Sequence, residues 1–274
     1  MNNRAYEKSL PIWADVIWNS LMAMTVFGLA RRFINQIWLF SGIGRHVFQV
    51  ALFTVCMILF VRSWSKRYDY TLADCRLKEF KLSWKDIAFA LGFPLGMQMI
   101  LSLFAEEIYF SGQPQGSLIP IYVAEFLHYG IGSGFNEELV YRGYLMKVLE
   151  DKIGIKKAIL IVSLVFGCAH LFNGNMTPWM MVFVVLGTGS MGALLAVVTY
   201  ESGSIWKAVL LHACINLSDL VIGSDAHLIY RCFPFEMTEE RLSCLAYLIS
   251  AVMSGIVIFI YYIKKRRTEA VRQF

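Results

Sequence analysis

The sequence has little charge, little proline and no cysteine pairing pattern, and each shortage removes a class of protein. Charged residues fill only 16% of 274 positions, against about 25% in a typical soluble domain. Six prolines and no low-complexity stretch argue against a linker-built or disordered chain. The six cysteines form no Cys-x-x-Cys pair, which removes the usual zinc-ribbon and thioredoxin-like readings. Cys232 and Cys244 could bond to each other only on an oxidising side, so free thiols are the default. The one dense basic run, 264–267, flanks an apolar segment and reads as a stop-transfer signal. No nucleic-acid partner is expected from it.

What the chain has in abundance is apolar: 57% hydrophobic and 15% aromatic residues, with a mean hydropathy of +0.56. Apolar runs fall at 12–30, 47–61, 87–105, 118–134, 158–172, 179–200, 205–222 and 244–263. Most approach the ~20 residues that a spanning helix needs. The expectation is an all-α, polytopic membrane bundle of about eight transmembrane helices around an intramembrane cavity, a single integral domain over 1–274. The first run lacks a small-residue cleavage site after it and reads as a retained helix. With alternate loops assigned to opposite sides, 20 of the 25 Lys and Arg fall on the side of both termini, which makes that side cytoplasmic. Membrane lipid is therefore one partner. The small-residue pairs Gly189/Ala193 and Gly192/Ala196 read as close packing within the bundle rather than as a dimer contact.

Against that background the segment 134–150, GFNEELVYRGYLMKVLE, stands out. Glu137 and Glu138 put two carboxylates where ionisable groups are costly and generally serve function. Glu138 precedes Arg142 by four residues, the favourable order for an ion pair along one helix face. Glu137 lies about 100° round the helix with no such mate. One acid is thus expected to be structural and its neighbour free to react.

Other polar residues are weighed against this pair. Asp15 reads as interfacial, Tyr68, Tyr70 and Trp84 as headgroup-level aromatics, and Glu106-Glu107 as a solvated flank. Glu125 and His128 make half of a di-iron signature, without the second copy or the further glutamates it requires. His170 and His212 are more telling, because each begins or ends a four-residue step, Phe166-x-x-x-His170 and His212-x-x-x-Asn216, that shares a helix face. A hairpin turning at 150–154 brings Glu137 level with His170. Bringing His212 to the same depth requires the hairpin tip to protrude from the membrane.

These three motifs, in this order across apolar helices and with the segment Ser204-Ile-Trp-Lys-Ala208 leading into the last, resemble the CAAX-processing and bacteriocin-processing (CPBP) intramembrane proteases. The motif-bearing core covers about 118–220; the first three spans and the last match only as hydrophobic helices. The resemblance implies an eight-helix membrane fold and metal-independent hydrolysis without a covalent intermediate.

Amide hydrolysis needs a base for water, a stabiliser for the oxyanion and an acid for the leaving amine. Glu137 suits the base, His170 the same water or the proton's next stop, and His212 with Asn216 the oxyanion donors. Glu138, Arg142 and Phe166 are expected to support the geometry. The expected substrate is a peptide or lipidated protein. A zinc site from Glu137, His170 and His212 is the runner-up, since two His and one Glu with an open position is a known catalytic set. Cys168 and Cys214 project about 200° from the motif histidines and are not expected to join them. An immunity or regulatory protein that binds a bacteriocin or sensor, and a proton-relaying transporter, remain as alternatives from other classes. The transporter lacks the internal repeat common in such folds.

Overall fold

The computed structural model describes residues 11–37, 42–110, 119–120, 122–124, 126–172, 174–223 and 229–271. The apolar runs become helices wherever a local signal sets their ends. The helix α3 (Trp84–Ser102) starts on a capping box in which Ser83 and Asp86 each accept from the other's backbone N–H. The helix α6 (Pro178–Ser202) starts on Thr177 with proline in its first turn and stops at Gly203, whose φ of 67° is left-handed. The remaining helices are α1 (Ile12–Ile34), α2 (Gly42–Ser65), α4 (Met146–Ile153), α5 (Ile155–Ala169), α7 (Trp206–Val221) and α8 (Glu239–Val271).

Among the described residues five segments are long and apolar enough to cross a membrane: Ile12–Ile34, Gly42–Tyr68, Ile155–Phe172, Pro178–Ser202 and Glu239–Glu269. Each of the other three expected spans has helical structure but falls short. In α3 the charged Lys85 and Asp86 occupy the first turn and Pro94 interrupts the interior. With 16 residues, α7 is about 24 Å long, less than the ~30 Å hydrocarbon layer. The fourth run is π-helical over Phe126–Phe135, as is the stretch Glu138–Leu145 that follows it. An α-helical period was expected there. The wider turn is rare and concentrates at functional sites.

The described residues are mostly helical, as expected, with little sheet beside the helices. Glu107–Phe110 (β1), Ile222–Gly223 (β2) and Ile229–Cys232 (β3) form a small sheet in the order β1-β3-β2. β1 and β3 are antiparallel, with Tyr109 stacked on Tyr230 at 5.4 Å. Short β-branched and aromatic runs outside the spans supply the pairing. Glu106 and Glu107 are exposed, as expected of a flank.

Asp15, near the start of α1, is buried within the bundle. Its carboxylate accepts from the Tyr68 hydroxyl at 3.1 Å and the Asn19 amide at 3.2 Å and pairs with Lys152. Tyr144 in turn donates to Asn19. A cluster of this kind ties the start of α1 to the link after α2 and to α4. Arg76 of the same link pairs with Glu150, and its carbonyl accepts from the Ile205 N–H at the start of α7 at 3.1 Å. Gly143 allows this link to pass close by, since a Cβ there would stand 2.7 Å from the Cys75 carbonyl. The start of α7 and Gly143 thus both pack against this link.

Candidate active site

Glu138 organises the site from the wall side. It is fully buried, and one oxygen, Oε1, takes both of its partners: Arg142 Nη1 donates at 2.9 Å and His212 Nδ1 lies at 2.8 Å. A carboxylate can only accept, so Nδ1 of His212 carries a proton and Nε2 is the ring nitrogen left for chemistry. That nitrogen is 3.8 Å from Oε2 of Glu137. The four-residue spacing announces the ion pair of Glu138 with Arg142 but not the hold on His212, because that contact joins residues 74 apart in the chain.

Arg142 is buried and completes its surroundings with a second donation from Nη2, to the Gly192 carbonyl at 3.1 Å. Gly192 is small for this reason: a Cβ there would sit 3.1 Å from Arg142 Nη2 and 3.2 Å from the Phe166 ring. The close packing expected of the small residues in α6 is therefore packing onto the site. Phe166 is the plate under the cluster. The Arg142 guanidinium lies over its ring at 4.1 Å, His170 at 4.6 Å and His212 edge-on at 6.0 Å. A guanidinium on an aromatic face contributes roughly 2 kcal/mol when desolvated.

His170 ends α5, with Nδ1 at 2.8 Å from the Phe166 carbonyl. A carbonyl accepts, so here too the proton sits on Nδ1 and Nε2 is open. His170 lines two cavities. One, of about 390 Å³, lies among α3, α6, α7 and α8 and also takes in His212 and Asn216. The other, of about 640 Å³, is walled by α1 and holds Glu137. Glu137 and His170 thus border a common space, as the hairpin reading expects.

Glu137 differs from expectation in one respect: it has a cation nearby. Arg31 Nη1, in the last turn of α1, stands 3.6 Å from Glu137 Oε1. The geometry along one helix holds, but α1 brings a mate from 106 residues away. No periodicity in the sequence could have reported it, because it depends on how α1 packs. Even so, Oε2 of Glu137 is buried with no hydrogen-bond partner among the described residues, and so are Glu138 Oε2 and Arg142 Nε. Unmet buried polar atoms of this kind need an explanation, and a site awaiting a bound molecule is one.

Asn216 is one turn beyond His212 and lines the same cavity, but its Nδ2 already donates to the Tyr129 carbonyl at 3.0 Å. An amide has a second N–H to offer. Cys168 is exposed and Cys214 is half-buried, both as free thiols. Cys232 and Cys244 are also unbonded. Glu125 lies outside the described residues, while His128 packs edge-on against His46 at 6.3 Å. Among the described residues no three His, Cys, Asp or Glu are grouped so as to hold a metal ion.

Residues 119–218 match the family model described as Type II CAAX prenyl endopeptidase Rce1-like. All seven residues singled out for the site, from Glu137 to Asn216, fall within that match. The helices α1, α2, α3 and α8 lie outside it. No curated protein matches the chain.

Proposed function

We propose that this chain, whose residues 119–218 are an Rce1-like domain of the CAAX prenyl endopeptidase kind, is an intramembrane endopeptidase that hydrolyses a peptide bond of a membrane-associated peptide or lipidated protein by glutamate-activated water. The observation that carries the reading is the buried, unpartnered oxygen of Glu137 on a cavity shared with His170, 3.8 Å from His212.

The steps follow from which atoms remain open. A water between Glu137 and the open Nε2 of His170 loses a proton to Glu137 as its oxygen attacks the carbonyl carbon. The proton passes to Nε2 of His212, whose other nitrogen is held by Glu138. As an imidazolium His212 donates from Nε2, and with the second N–H of Asn216 it supports the oxyanion. When the C–N bond breaks, the amine leaves with that proton and the acid stays on the other fragment. Each charge has a counterpart at the outset: two carboxylates, Glu137 and Glu138, face two guanidiniums, Arg31 and Arg142. No step runs through a metal. Both termini are assigned to the cytoplasm on the strength of the basic-residue asymmetry.

The test is mass spectrometry of peptides released in membranes carrying either the wild type or Glu137→Gln. Products present with the first and absent with the second support the reading. Identical products from both overturn it.

A further inference from the structure

A third cavity holds none of the reacting groups, and the hydrolytic steps leave it unused. It has a volume of about 870 Å³ and is bounded by the link after α2, the start of α3 and the turn from α6 to α7. Three lysines, Lys78, Lys81 and Lys207, line it together with two acids, Glu79 and Asp86. Lys81 pairs with Glu79 at 2.6 Å and Lys207 with Asp86 at 2.8 Å. Lys78 has no ion pair among the described residues, so the wall carries one surplus positive charge. Its ammonium reaches over Gly203, 3.9 Å from where a Cβ on that residue would stand. The hydroxyl of Ser204, the next residue of the wall, is buried with no partner among the described residues.

We propose that this cavity holds the phosphate of an anionic phospholipid headgroup. A lysine ammonium is a point charge with three donors that can meet a phosphate from several directions, and a serine hydroxyl adds one more donor. What flanks the cavity favours a lipid over a free anion. Phe80 and Trp84, on the same link, are 66% and 73% exposed. Large exposed aromatics beside lysines suit the headgroup level of a bilayer. The three lysines also stand on the side that the basic-residue asymmetry assigns to the cytoplasm, where anionic lipid makes the leaflet surface negative. Phe80 packs edge-on against Trp206 at 5.2 Å, and the Trp206 indole N–H donates to the Lys78 carbonyl at 2.7 Å. A headgroup on Lys78 therefore also bears on the start of α7, the helix that carries His212.

The experiment titrates the full-length protein in detergent with phosphatidylglycerol or phosphatidylcholine and follows bound lipid by native mass spectrometry. The wild type should hold phosphatidylglycerol the more tightly. Lys78→Gln should weaken that binding about fivefold, the contribution of one lysine at an anionic surface, and Lys78→Arg should retain it. Lys265→Gln, which removes a cation outside the cavity, should leave it unchanged. Equal affinity for the two lipids, no loss in Lys78→Gln, or an equal loss in Lys78→Gln and Lys265→Gln overturns the proposal. So does a thermal midpoint that inorganic phosphate raises through Lys78 while phosphatidylglycerol does not, which would assign the site to a free anion. If Lys78→Gln folds poorly, Lys81→Gln takes its place, because it frees Glu79 to oppose the phosphate and should weaken phosphatidylglycerol in the same way. No cleavage is measured, so the outcome is separate from the endopeptidase reading.

Discussion

Two buried polar clusters of similar make-up occupy the two ends of the helical stretch 137–153, and they differ in completeness. At the α4 end, Asp15, Asn19, Tyr68, Tyr144 and Lys152 satisfy one another, and none of the buried atoms left without a partner among the described residues is theirs. At the other end, Glu137, Glu138 and Arg142 each keep one such atom, beside cavities of about 390 and 640 Å³. The first cluster has nothing left to bind and acts as a rivet. The second has kept capacity that folding did not use. Buried polarity alone does not mark a site; its unfinished part does.

The largest effect expected from testing this contrast is at the unfinished end. Glu137→Gln should lower turnover by roughly 10²–10⁴-fold, the range for a removed general base, with normal yield of monodisperse protein in detergent. An equally active variant would erase the distinction. Arg142→Leu attacks the same cluster at its buried ion pair and leaves Glu138 unpaired, which costs about 3–5 kcal/mol. Folded yield should fall along with activity. Full yield of an inactive protein would mean that the pair serves chemistry alone.

At the finished end the order should reverse. Asp15→Ala strands the buried hydroxyl and amide that it satisfied, at about 1–3 kcal/mol, so the thermal midpoint should drop while turnover per folded molecule stays within a factor of two or so. Gly192→Ala lies at the seam between plate and cluster. The added methyl presses on Phe166 and Arg142 and should cost about 1–3 kcal/mol, with activity falling in step with stability. The smallest effect is expected from prolonged chelation, since no step runs through a metal; turnover measured before and after should agree, and its loss would promote the zinc alternative.

Much of the arrangement was legible because it is local or periodic. Glu138 and Arg142, Phe166 and His170, and His212 and Asn216 are each four apart, and such spacing places side chains on one face before any tertiary fold is known. The eight apolar runs likewise located the helical segments. The rest depends on contacts across the bundle. No spacing links Arg31 to Glu137 until α1 is seen to lean on that acid, and none announces that Tyr68 and Lys152 close over Asp15. The π-helical turn is hidden for another reason: the carboxylate and guanidinium four residues apart still meet in it, so the pairing betrays nothing of the change in winding. The count of eight spans is not reached among the described residues, where Pro94, Lys85, Asp86 and a 16-residue α7 make hydropathy a poor guide to length.

His170 stands between two chambers, and that position bears on what becomes of a severed chain. A peptide laid across the imidazole would have one half in each chamber before the bond breaks. On the proposed endopeptidase reading, each fragment would then be housed apart from the other, so the products would not need to pass one another to leave, and the ends that could rejoin would have His170 between them.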